Sequence, residues 1–93
     1  MIGYVMVGTN NLDKAIIFYD EVLKIINLTR KDTDDVCAGY TQNNGDGSIE
    51  FYVSKPATKK SATFGNGTQV SFLVSSSEIV DKFHEIALKA GGT

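Results

Sequence analysis

Apolar and polar residues alternate from Ile2 to Gly8. Val5 and Val7 fall on one face and Tyr4 and Met6 on the other, and this period of two predicts a strand with both faces occupied. The period then changes. Leu12, Ala15, Ile16, Tyr19, Val22, Leu23 and Ile26 recur at spacings of three and four, forming the single apolar stripe of a helix that packs on a sheet. Asn10 or Asn11 is placed to cap its first turn, where Asp13 complements the helix dipole, and Asn27 marks its end. Leu28 to Lys31 reads as a short strand, followed by the polar turn at residues 32–35. Val36 to Thr41 and Ser48 to Ser54 read as two more strands. The residues joining them, 43–47, tolerate positive φ, so the pair is expected to form a hairpin.

A long connection, Lys55 to Gly67, holds the single proline and the turn at residues 65–67. Its 55–63 part reads either as a lid or as a plain connection. Beyond it, Val70, Phe72 and Val74 alternate with Gln69, Ser71 and Leu73, which predicts a fifth strand. The serines at 75–77 then cap a second helix with a stripe through Ile79, Val80, Phe83, Ile86, Ala87 and Ala90, ended by Gly91 and Gly92. An offset of 65 positions sets Val5 on Val70, Asp13 on Glu78, Phe18 on Phe83, Asp20 on Glu85, Leu23 on Leu88 and Lys24 on Lys89. The strand and helix at the start therefore recur, as a duplicated unit would. The expectation is one domain over residues 1–93, with a strand, helix and three strands in 1–56 and an incomplete second copy in 68–93.

Composition narrows the partners. Apolar residues make up 42% and charged residues 22%, a globular balance that excludes a disordered chain. Net charge is −2 and the nine Lys and Arg are scattered, so no nucleic-acid partner is expected. No apolar run reaches the roughly 18–20 residues of a membrane span, and no signal-like segment opens the chain, so a cytoplasmic location is expected. Cys37 stands alone and reads as a small core residue in a reducing compartment. A chain of this size buries only about 60–65% of its unfolded surface, so an open sheet edge is a serious liability. A homodimer or larger assembly, edge-paired or element-swapped, is the expected remedy.

The helix opening at residues 11–19 (NLDKAIIFY), the strand carrying Ile49, Glu50, Phe51 and Tyr52, and the recurrence of strand and helix together resemble the vicinal oxygen chelate superfamily. This superfamily includes glyoxalase I, the bleomycin- and fosfomycin-resistance proteins, methylmalonyl-CoA epimerase and the extradiol dioxygenases. The resemblance implies an α+β fold: one βαβββ module plus the leading strand and helix of a second, on a cupped mixed sheet with ligand in the cup. Many enzymes of the family hold a divalent metal with a His near the start of the first strand and a Glu on the last strand of each module. Those positions fall here on Tyr4, Glu50 and Gln69, and the fourth lies beyond Thr93. Strand alternation sets the same three residues opposite the apolar rows of their strands, so all three are expected on one face.

A catalytic metal site usually needs at least three good donors and an open position. Glu50 is one, Gln69 is an occasional ligand and a neutral Tyr is poor. No cofactor is expected, and the alternative is a divalent metal. Glu50 is the candidate catalytic residue, as a general base or metal ligand, set against an ordinary polar residue on a solvated face. Tyr4, Tyr40 and Tyr52 with Met6 form a candidate ligand wall, joined by Glu50, Gln69 and Ser71. Oligomer packing is the rival use of those aromatics. Arg30 reads as a solvated strand residue, the alternative being a contact for an anionic substrate, and His84 as a structural residue flanking the second helix's stripe, the alternative being a site role. The leading expectation is a metal-free small-molecule-binding protein. The alternatives are a metal-dependent lyase, isomerase or dioxygenase completed by another chain, and a remnant whose role is assembly.

Overall fold

A computed structural model describes residues 2–63 and 65–92. Met1, Thr93 and Phe64, the last within the 55–67 connection, lie outside the described residues. Strand β1 (Val5–Gly8) leads into helix α1 (Leu12–Leu23), followed by a short 3₁₀ turn at Lys24–Ile26, β2 (Leu28–Thr33), β3 (Cys37–Gln42), β4 (Phe51–Ser54) and helix α2 (Ser77–Lys89). The strands form one mixed sheet in the order β1-β4-β3-β2. β1 runs parallel to β4, and the β2–β3 and β3–β4 pairs are antiparallel. The 43–47 hairpin and the first module's order therefore stand as read.

The caps explain the helix limits. Asn11 Oδ1 accepts from the Lys14 N–H at 3.1 Å and satisfies one of the first-turn donors. Ser76 Oγ does the same for Ile79 in α2. After the 3₁₀ turn, Asn27 takes a left-handed conformation, φ 64°, which ends α1 and turns the chain into β2. Leu12, Val22 and Leu23 of α1 are buried against Leu28, Ala38, Tyr40, Phe51 and Val53 of the sheet. The apolar stripe read from the sequence is therefore the face that packs. α2 rests on α1 and reaches the sheet through a chain of rings: Phe83 on Phe72 at 6.3 Å, and Phe72 on Phe51 at 5.5 Å.

Several elements differ from the sequence reading. The first strand begins at Val5 rather than Ile2, and the last at Phe51 rather than Ser48. Residues 69–74 keep the expected alternation, with Val70, Phe72 and Val74 half-buried and Gln69, Ser71 and Leu73 exposed, yet they join no sheet ladder. Their apolar side is held by Phe51 and Phe83, while β1 stays an edge strand. Packing on the helix side holds this segment in place of strand pairing. The 55–63 stretch is also tied down, because Asn10 exchanges two hydrogen bonds with the Ala62 backbone, at 2.6 and 3.2 Å. That pair of bonds favours the plain connection over the lid.

Candidate functional site

Strand register decides which side chains can meet. Val5 pairs with Phe51 and Val7 with Val53, and these four look toward the helices. Met6 pairs with Tyr52, so both belong to the opposite face of the sheet, away from the helices. There the Tyr4 and Tyr52 rings meet edge to face, with centroids 4.9 Å apart and planes at 74°. Tyr4 is 56% exposed and Met6 50%, so the rings and the thioether present an aromatic surface to solvent.

Tyr40 is not part of this wall. Its strand partner is Phe51, which places it on the helix side, and it is fully buried. Its ring lies against Tyr19 and Phe51, and its hydroxyl donates to Asp20 Oδ1 at 2.9 Å. Burial, and next the bond to the Asp20 carboxylate, push its pKa far above the ordinary tyrosine value. The other carboxylate oxygen of Asp20 pairs with Arg30 at 3.1 Å. Arg30 also donates to Thr33 Oγ1, so it is a member of a network where the sequence suggested only a solvated residue.

Glu50 is turned off the aromatic face as well. Its N–H donates to the Tyr40 carbonyl at 3.0 Å, although Phe51 is the strand partner of Tyr40. Two residues of one chain thus face one of the other, which is a β-bulge, a device that re-aims side chains. Ile49 takes the place beside Tyr52: a Cβ built on Gly39 would lie 2.9 Å from Ile49 Cγ2 and 3.0 Å from Tyr52 Cε1. Glu50 Oε1 accepts instead from Gln42 Nε2 at 3.3 Å, and Gln42 is the strand partner of the core residue Leu28. Together Glu50, Gln42 and Ser71 line a cleft of ≈ 560 Å³ at the end of the sheet, over Leu28, Phe51 and Phe72. Gln69 stays beside it, donating to Ser71 Oγ at 3.0 Å.

The expected common face for Tyr4, Glu50 and Gln69 is therefore corrected. The bulge moves the carboxylate, and the unpaired 69–74 segment moves the amide. The donor set does not fit a metal centre, since the carboxylate and the phenol stand on different sides of the sheet. Among the described residues no group of three or more His, Cys, Asp and Glu converges. Cys37 is half-buried, and burial followed by the nearby Asp34 charge raises its pKa, which disfavours the thiolate. His84 is exposed on α2.

Comparison with known proteins gives this geometry its context. The family model for the Glyoxalase/Bleomycin resistance protein/Dioxygenase superfamily matches residues 1–93. The chain belongs to that superfamily. Among solved structures, it is similar to a glyoxalase/bleomycin resistance protein from Albidiferax ferrireducens T118. The TM-score is 0.87 at 31% identity, over 100% of this chain and 74% of that one. No curated protein is similar enough to match. The superfamily's small mixed sheet with two helices is thus shown, and Tyr4 and Tyr52 furnish the sheet face that lies away from the helices. Sequence reasoning missed Ile49 on that face and the amides of Asn27, Gln42 and Asn43 around the cleft. The absence of a side chain at Gly39, on which Ile49 packs, was the one available signal.

Proposed function

We propose that this superfamily member binds a planar or amphipathic small molecule on the face of its sheet that carries Tyr4 and Tyr52, away from the helices, without a preformed metal site. The Tyr4–Tyr52 pair carries the reading. Two rings in edge-to-face contact form a stiff apolar surface, flanked by the adaptable Met6, and a flat ligand stacking there loses little side-chain entropy of the protein. Glu50, turned into the end cleft, takes no part in binding at this face, and no catalytic step is assigned to it.

The probe 2-naphthol, titrated into ¹⁵N-labelled protein, is expected to shift amides of β1 and β4. Tyr4→Ala should weaken this binding by about threefold to tenfold, since an aromatic contact contributes about 0.5–1.5 kcal/mol beyond area burial. Unchanged affinity in Tyr4→Ala, or shifts confined to α1 and α2, would reject the reading.

The protein is further proposed to work as a homodimer or larger assembly. Among the described residues β1 is paired on one side only and residues 69–74 on neither, and Ile2 and Leu73 stand exposed beside them. Purified without chelator, it is expected to sediment as a dimer or larger and to carry no stoichiometric metal. A stable monomer at micromolar concentration would contradict the assembly. Stoichiometric metal whose removal abolishes an activity would favour a metal-dependent lyase, isomerase or dioxygenase completed by another chain.

A further inference from the structure

The cleft at the end of the sheet has a composition of its own. Its floor is apolar, formed by Leu28, Phe51 and Phe72, and its rim carries the amides of Asn27 and Asn43. Glu50 is the one charged residue among those that line it. One carboxylate oxygen, Oε1, is engaged by Gln42 Nε2 at 3.3 Å, while Oε2 has no partner among the described residues. The rim is held. Asn43 N–H donates to the Asn27 carbonyl at 3.0 Å, and Asn43 Oδ1 accepts from Thr29 Oγ1 at 2.9 Å.

We infer that this cleft is a second binding site, for a small organic ammonium ion carried on an apolar body. An ammonium group has three N–H donors and no acceptor. Glu50 Oε2 takes one of them in a charge-assisted bond, and side-chain carbonyl oxygens of the rim accept the others. The apolar body lies on Phe51 and Phe72, whose rings are 5.5 Å apart and edge to face. The β-bulge is what makes the site: with regular pairing the carboxylate would project from the opposite face, and the cleft would have no charge. The volume of ≈ 560 Å³ lies within the usual range of about 300–1,000 Å³ for small-molecule sites. This site is independent of the aromatic face, so either can fail without the other.

Three probes that share one ring and differ in charge test the inference: 2-phenylethylammonium, 2-phenylethanol and phenylacetate, each titrated into the ¹⁵N-labelled chain. The ammonium is expected to shift amides of Leu28, Asn43 and Phe72 and to bind about fivefold or more tightly than the alcohol, with phenylacetate weakest. Glu50→Gln keeps the shape and the bond from Gln42 but removes the charge, and should reduce the ammonium's affinity to that of the alcohol. Equal affinity for ammonium and alcohol, unaltered ammonium binding in Glu50→Gln, shifts on β1 around Tyr4 and Met6 instead, or no shifts at all would each overturn the site. The 2-naphthol titration reads the other face, so the two outcomes are distinguishable.

Discussion

Replacing Tyr40 by alanine is expected to cost about 3–5 kcal/mol of stability, the loss typical of a large buried ring. Tyr40 is fully buried, contacts the rings of Tyr19 and Phe51, and sits at the centre of β3 under α1. A domain of this length is stable by only about 5–14 kcal/mol, so the variant should melt far below the parent or fail to fold. Tyr40→Phe is the finer variant. It keeps the ring and removes the hydroxyl that donates to Asp20, at an expected cost of about 1–2 kcal/mol because Asp20 can partly rehydrate.

The hydroxyl also has a pH signature. Its folded pKa is raised above the unfolded value of about 10, so the folded state holds the proton more tightly. The stabilisation is complete below about pH 10 and is lost as pH rises from there toward the folded value. Chemical denaturation at pH 8 and pH 11 should show a larger fall for the parent than for Tyr40→Phe. Equal falls would mean that Tyr40 is not buried as described. Were Tyr40 part of a ligand wall instead, Tyr40→Phe would change ligand affinity and leave stability alone.

Gly39→Val is expected to cost about 1–3 kcal/mol, through overpacking at a position with no room for a side chain. The first added carbon would already lie 2.9 Å from Ile49 Cγ2 and 3.0 Å from Tyr52 Cε1. Ile49 is β-branched and cannot swing its methyl aside cheaply. The preference of valine for strands works in the opposite direction but spans only about 1 kcal/mol over all residues, so the clash decides the sign. Displacement of Ile49 should also disturb the bulge at Glu50, so the variant is expected to lose 2-phenylethylammonium binding as well as stability. A melt equal to the parent's would show that Ile49 does not pack on Gly39.

Much of the fold was legible because the signals are local. The cap at Asn11, the stripe from Leu12 to Ile26 and the stop at Asn27 each depend on residues within one or two turns. The alternation in 69–74 was legible too, and its apolar side does face inward. Whether that segment pairs was not, since pairing depends on a neighbour far away in the chain.

The site was less legible for the same reason. That Tyr4, Met6 and Tyr52 share a face was legible because β1 and the end of β4 alternate cleanly. Tyr40 was misplaced because Cys37, Ala38, Gly39 and Tyr40 give weak alternation, and only the pairing with Phe51 reveals which way the ring points. Glu50 was misplaced because a bulge shifts alternation by one residue and leaves no mark in the strand that carries it. The room that Ile49 fills lies across the sheet, over the bare backbone of Gly39.

The separation of the aromatic face from the carboxylate cleft is tested most directly by side-chain NOEs around Ile49 and Glu50 in the unliganded protein. NOEs from the Ile49 methyls to the Tyr52 ring, with Glu50 methylene protons seeing the Gln42 side chain, are the predicted result. NOEs from Glu50 to the Tyr4 or Tyr52 ring, with Ile49 methyls seeing Phe51 and α1, would place the carboxylate on the aromatic face and contradict the existence of two sites.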